Sequence, residues 1–118
     1  MQVLPAIVKR DCAPWDGGAF VVSIRHDRDS VIEISIWQSP DIPGPIKYSF
    51  PDRTRSIGEA MLVEQAGTPA ELTGSVHFQA VEEGTPVKGE FSLVTASGRE
   101  FHGKFIATWE ADEIVYCG

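Results

Sequence analysis

Residues 87–106 read VKGEFSLVTASGREFHGKFI, and two similar segments flank a short turn within this stretch. In both segments a glycine precedes a charged residue and then a phenylalanine. A three-residue hairpin loop places glycine in the left-handed conformation, and Gly98 occupies that position in the ASG turn. The stretch therefore predicts two antiparallel strands in which Leu93 lies opposite Phe101.

The predicted register explains the two glycines as packing positions. It places Phe91 opposite Gly103 and Phe105 opposite Gly89, all on the apolar side of the sheet. An aromatic ring that lies across a glycine of the neighbouring strand fills the volume that a side chain would occupy. The repeated pattern therefore predicts a scaffold of strands and does not by itself indicate a chemical motif.

The polar side of the same strands contains the one candidate constellation of reactive side chains. Pairing through the EG turn at 83–84 adds a third strand, so that His77, Glu90 and Lys104 form a row. A carboxylate between histidine and lysine suits a general base or a polar-ligand site. The alternative is a ladder of charge pairs on a solvated face, each worth about 0.2–1 kcal/mol. We favour the ladder and assign no catalytic residue.

The rest of the chain predicts an all-β fold. Residues 18–26 and 30–38 alternate with period two and match as a hairpin in which Ile24 faces Ile32. Short strands separated by turns indicate an antiparallel β-sandwich or flattened barrel of about seven to nine strands. A single β domain, 1–118, accounts for the length. Residues 57–66 favour a strand, with one short helix as the alternative.

Charge and hydropathy limit the possible partners. Acidic residues outnumber basic ones 17 to 10, which gives a formal net charge of −7. Because nucleic-acid binding needs a basic surface, the composition argues against DNA or RNA as a partner. No apolar run approaches the ~20 residues that cross a bilayer, and no secretion signal is visible. These observations predict no membrane contact and a cytoplasmic location.

Cysteines, histidines and known motifs indicate no metal and no cofactor. The spacing of Cys12 and Cys117 excludes a CxxC motif, and a reducing compartment favours free thiols. A disulfide between the first segment and the last strand is the alternative, and it requires an exported protein. The three histidines lack the spacing of a zinc site. Gly-rich phosphate loops and the GxSxG motif are absent, so the sequence favours a protein without enzymatic activity.

Candidate contact residues lie in and beside the longest irregular stretch. Residues 39–56 hold four prolines, which exclude a regular central strand. Ile42, Tyr48 and Phe50 are apolar enough to form a contact patch there, or else they pack onto the core. Trp37 lies on the polar side of the predicted strand at 30–38, where an exposed tryptophan is a typical interface anchor.

We therefore interpret the sequence as a small soluble interaction or binding domain with an acidic surface. An inhibitor or immunity-type protein for a basic partner is the most concrete version, and a homodimer through an open sheet edge is another possible assembly. The alternative is a small-molecule-binding barrel or minor enzyme that uses the His–Glu–Lys row. The two classes differ in whether that row lines a concave pocket or lies on an open convex face.

Overall fold

The computed structural model describes residues 3–15, 17–52, 57–65 and 67–110, and over these ranges every regular element is a β-strand. Residues 57–66 contain a strand and not a helix, as the sequence favoured. The segment EIVYC at 113–117, which the sequence predicts as the last strand, lies outside the described residues. The ten strands are β1 (Val3–Cys12), β2 (Gly18–Arg25), β3 (Ser30–Ile36), β4 (Asp41–Ile42), β5 (Ile46–Phe50), β6 (Gly58–Glu64), β7 (Ala70–Phe78), β8 (Val81–Glu82), β9 (Val87–Thr95) and β10 (Glu100–Trp109).

The strands form a closed barrel, which confirms the all-β flattened-barrel class. The main sheet has the order β5-β7-β6-β3-β2-β1-β10-β9, and β9 pairs in turn with β7. This last pairing closes seven strands into a barrel and leaves β5 as an extra strand beside β7. All neighbouring strands are antiparallel except β1 and β10, which run parallel. A separate two-stranded ladder joins β4 to β8.

The hairpin registers are those that the alternation predicts. Leu93 lies opposite Phe101, and Ile24 lies opposite Ile32. At the ASG turn the Thr95 amide donates a 2.9 Å hydrogen bond to the Arg99 carbonyl, and Gly98 has a φ of +95°. The period-two pattern thus places one complete set of apolar side chains inside the barrel.

Aromatic and branched side chains fill the barrel interior. Phe78 contacts Phe20 and Phe105 edge to face, with ring centroids 5.8 and 5.9 Å apart. All three side chains are fully buried. Close packing of this kind directs the charged side chains of the same strands to the outer surface. Any candidate site on the barrel strands is therefore an outer-face site.

A homodimer through an open sheet edge stays a prediction, and barrel closure limits the edges of the main sheet at which it can form. Each of the seven barrel strands has a neighbour on both sides, so within the described part of the main sheet the outer edge of β5 is the one without a paired strand. This edge is five residues long, carries Lys47 and is flanked by Pro45 and Pro51. Short length, charge and proline are features that hinder edge-to-edge pairing.

The expectation that Cys12 is a free thiol is wrong, because Cys12 is disulfide-bonded in the structure. The other cysteine of the sequence, Cys117, lies outside the described residues. Cys12 is the last residue of β1, so the bond anchors the end of a barrel strand.

Within the described ranges, no helix meets the length and hydropathy that a membrane crossing requires.

Candidate functional site

The polar row predicted from the sequence is present on the outer face of the barrel. His77 lies opposite Glu90 on β7 and β9, and Glu90 lies opposite Lys104 on β9 and β10. All three side chains are exposed. Residues on either side of them along each strand face inward, so the row is a product of strand alternation in a closed barrel.

A fourth strand extends the row, and a second row runs beside it. Lys47 of β5 lies opposite His77, so the ionisable row spans four strands. Two residues along each strand, serines and a histidine form the neighbouring row. We call these two rows the polar array, which consists of Lys47, His77, Glu90 and Lys104 in one row and Ser49, Ser75, Ser92 and His102 in the other.

Two open depressions lie on the polar array. The larger has a volume of about 360 Å³, and the smaller has a volume of about 260 Å³. His77 and Glu90 line both of them, and Lys104 lines only the smaller. Six members of the array line the larger depression, namely Lys47, Ser75, His77, Glu90, Ser92 and His102.

The array offers mainly hydrogen-bond donors. Ammonium, imidazole and hydroxyl groups surround one carboxylate, that of Glu90. In the part of the chain that the structure describes, no three His, Cys, Asp or Glu side chains lie close enough together to hold a metal ion. The chemistry that the array supports is therefore the binding of a polar or anionic group.

Trp37 lies at one end of the barrel beside a second tryptophan. It is half-buried, and its ring meets that of Trp15 edge to face with centroids 5.7 Å apart. Trp15 is 56% exposed, the largest value among the exposed apolar side chains. Trp15 follows β1 and Trp37 follows β3, so the chain reversal after β1 brings them together. We call them the tryptophan pair.

Trp15 is not among the contact residues predicted from the sequence. In the sequence it precedes Asp16-Gly17-Gly18, a combination typical of tight turns, and β2 begins at Gly18. The predicted β2–β3 hairpin places this turn and the end of β3 at the same end of the sheet. That adjacency was the available signal for the tryptophan pair.

A depression rich in carboxylates lies at the same end. Its volume is about 270 Å³, and it is lined by Arg10, Asp11, Gly18, Ala19, Ser39, Pro40, Asp41 and Glu83. A guanidinium nitrogen of Arg10 lies 2.7 Å from a carboxylate oxygen of Glu83. On the adjoining ladder, Asp41 lies directly opposite Glu82. We call this depression, together with Glu82, the acidic end.

The three other candidate contact residues are in the core. Ile42, Tyr48 and Phe50 are 6%, 3% and 5% exposed, so they do not form a surface patch. The Tyr48 hydroxyl donates a 2.8 Å hydrogen bond to Oε1 of Gln38. Alternation along β5 turns Tyr48 and Phe50 inward, which agrees with the alternative that the loop aromatics pack onto the core.

Comparison of the chain with protein-family models, with curated proteins and with solved structures finds no match. No relative therefore supplies a function or a set of site residues. The described surface has two features that could contact a ligand or partner, namely the acidic end with its tryptophan pair and the polar array.

Proposed function

We propose that this protein is a non-enzymatic interaction domain that binds a basic segment of a partner protein at its acidic end. The observation that carries the proposal is the exposed ring of Trp15, supported by Trp37, beside a depression lined by carboxylates. Tryptophan is enriched among the residues that dominate binding energy at protein interfaces. A lysine or arginine of the partner would contact the carboxylates and a tryptophan face together.

The charge distribution supports a basic partner. Asp41 and Glu82 are directly opposite each other, and like charges in that position destabilise a ladder. A cationic side chain between them would relieve the repulsion. The formal net charge of −7 would also accelerate encounter with a basic protein, and it disfavours nucleic acid. Size and charge fit an inhibitor or immunity-type protein.

The packed interior supports surface binding over a ligand inside the barrel. Phe20, Phe78 and Phe105 occupy the region where barrels of other classes hold a small molecule. The depressions described here lie instead on exposed side chains or at the barrel end. Open surfaces of this kind suit contact with another macromolecule, whereas small-molecule sites are usually enclosed pockets.

The disulfide of Cys12 changes the compartment that we propose. The sequence-based prediction of the cytoplasm depended on the absence of a visible secretion signal and of a membrane-spanning run, and free thiols were expected in that reducing compartment. Because structural disulfides persist in oxidising environments, the bond favours an exported protein that acts in such a compartment. The partner would then be sought among basic proteins outside the reducing cytoplasm.

Affinity capture with matched variants tests the proposal. The tagged full chain is used as bait in extracts of the source cells and their surroundings, alongside the variants Trp37→Ala and Asp41→Asn. We expect a basic protein that wild type retains, that raised salt releases, and that both variants lose. Ile106→Ala is the matched control, because Ile106 is an exposed apolar side chain on β10.

The control separates the acidic end from the remaining surface. Retention of the partner by Ile106→Ala and its loss by the two end variants would support the proposal. The proposal would be overturned if all variants retained the partner equally, or if only Ile106→Ala lost it. It would also be overturned if only further copies of this chain were recovered. Urea unfolding of each variant verifies that the fold is intact. Tyr48 is unsuitable for this test because its side chain is buried.

A further inference from the structure

The polar array is a locally basic region on an acidic protein. It contains two of the chain's four lysines, two of its three histidines and one carboxylate. Just beyond the array on the same outer face, Lys88 and Glu100 contribute opposite charges that cancel formally. The array therefore differs in sign from the chain as a whole, which has a formal net charge of −7.

Donors of three kinds surround the larger depression of the array. Lys47 supplies an ammonium group, His77 and His102 supply imidazoles, and Ser75 and Ser92 supply hydroxyls. These residues come from four neighbouring strands, β5, β7, β9 and β10, so the groups approach the depression from several directions. All but Ser75 are exposed, and Ser75 is half-buried.

The one carboxylate of the depression has a neighbour that offsets its charge. Glu90 lies opposite Lys104 across β9 and β10, and Lys104 does not line this depression. Because β9 lies between β7 and β10, Lys104 is on the opposite side of Glu90 from His77 and Lys47. A negative ligand would meet the donors of Lys47, His77 and the serines, and it would also meet Glu90, whose charge is offset by Lys104 on the neighbouring strand.

We propose that the larger depression of the polar array binds a phosphate group, as the free anion or as a phosphate monoester. A tetrahedral oxyanion accepts hydrogen bonds in several directions, which suits donors that converge from four strands. The lining contains Lys47, and lysine commonly binds phosphate in proteins as a point charge. This inference is independent of the acidic end.

An amide-shift titration of the full chain with inorganic phosphate tests the proposal. Spectra are compared with chloride at equal ionic strength, and we expect saturable shifts centred on residues 47, 75, 77, 92 and 102. Lys47→Met should weaken binding about tenfold, because it removes one charge-assisted contact. Lys9→Met is the matched control, since Lys9 is an exposed lysine on β1, outside the array.

The source of the phosphate is tested in a second arm. Glycerol 2-phosphate replaces inorganic phosphate, and tighter binding would assign the site to a monoester, whereas equal or weaker binding would assign it to the free anion. Non-saturable shifts, or equal weakening by Lys47→Met and Lys9→Met, would overturn the proposal in favour of general screening. The Trp37→Ala variant should bind phosphate like wild type. A failure of the proposed partner binding at the acidic end can therefore be distinguished from a failure of phosphate binding at the polar array.

Discussion

Gly89 leaves no room for a side chain. A Cβ built there would lie 2.6 Å from the His77 carbonyl oxygen and 2.7 Å from Cζ of Phe105. At Gly103 the corresponding nearest atoms are Cδ1 of Leu4 at 3.4 Å and Cζ of Phe91 at 3.6 Å. The two crosswise glycine–phenylalanine contacts thus differ in tightness, because a backbone carbonyl approaches only one of the glycines.

Alanine at the two glycines should therefore have unequal effects. Gly89→Ala forces the Phe105 ring and the β7 backbone apart, and we expect a loss of about 1–3 kcal/mol in the free energy of unfolding. Gly103→Ala needs no such shift and removes the entropic cost of glycine in a strand, about 0.5–1 kcal/mol, so its stability should equal or exceed wild type. Urea unfolding measures both, and equal losses would contradict the described packing.

The turn between β2 and β3 contains one carboxyl group with a shifted pKa. The Asp29 amide donates a 2.9 Å hydrogen bond to Asp27, and this bond lowers the pKa of the Asp27 carboxyl below its ordinary 3.8. His26 and Ser30 lower it further through smaller interactions. A depressed folded-state pKa means that the bond contributes to stability above the unfolded-state pKa and loses that contribution as pH falls through the folded-state pKa.

We expect the amide shift of Asp29 to follow this titration. Its midpoint should lie below 3.8, and the step should be missing in Asp27→Asn, which retains an acceptor oxygen without a titrating group. Spectra recorded between about pH 2 and pH 6 measure the midpoint. A midpoint at or above the ordinary value would contradict the hydrogen bond.

At the scale of strands, local turn chemistry made some pairings predictable and left others open. The ASG turn determines how β9 meets β10, and therefore how Glu90 meets Lys104. No comparable turn joins β5 to β7, so Lys47 was not predicted as a neighbour of His77. The pairing of β7 with β9 was predicted through the EG turn at 83–84. The parallel pairing of β1 with β10 was not predicted, because it depends on contacts between strands distant in sequence.

Strand β6 shows how a neighbour decides an ambiguous segment. Local propensity in EAMLVEQ suits a helix, and Ser56 and Glu59 have capping-box spacing. In the structure a Cβ at Gly58 would overlap the Ser35 carbonyl oxygen, so glycine permits the close approach of β3. Tertiary pairing thus overrides the helical preference, which the sequence of this segment alone did not reveal.

The short β4–β8 ladder should gain stability when one of its two opposed like charges is removed. Asp41→Asn removes the repulsion with Glu82, and we expect the free energy of unfolding to rise by about 0.2–1 kcal/mol. Asp41→Glu retains the charge and serves as the control without such a gain. If Asp41→Asn is more stable but no longer retains the captured partner, the repulsion between Asp41 and Glu82 lowers the stability of the fold at a position that partner binding needs. A destabilised Asp41→Asn would contradict the repulsion.

At the scale of the whole molecule, closure brings the first described strand against the last. β1 pairs with β10 from Val3 opposite Lys104 to Val8 opposite Trp109, and the Glu110 amide donates a 2.9 Å hydrogen bond to the Val8 carbonyl. Period-two alternation predicts which faces are buried but not that the two ends meet. The redox state of Cys12 was unpredictable for the same reason, since cysteine spacing does not report spatial proximity.

The disulfide of Cys12 should be a large contributor to stability. A disulfide restricts the unfolded chain, and removal of one from a small domain typically costs about 2–5 kcal/mol. We expect Cys12→Ser to lower the free energy of unfolding by that amount and reduction of wild type to have the same effect. Urea unfolding with and without a reducing agent measures both. The reducing agent should leave the urea midpoint of Cys12→Ser unchanged. If it also left the wild-type midpoint unchanged, that result would contradict the disulfide and with it the argument for an oxidising compartment.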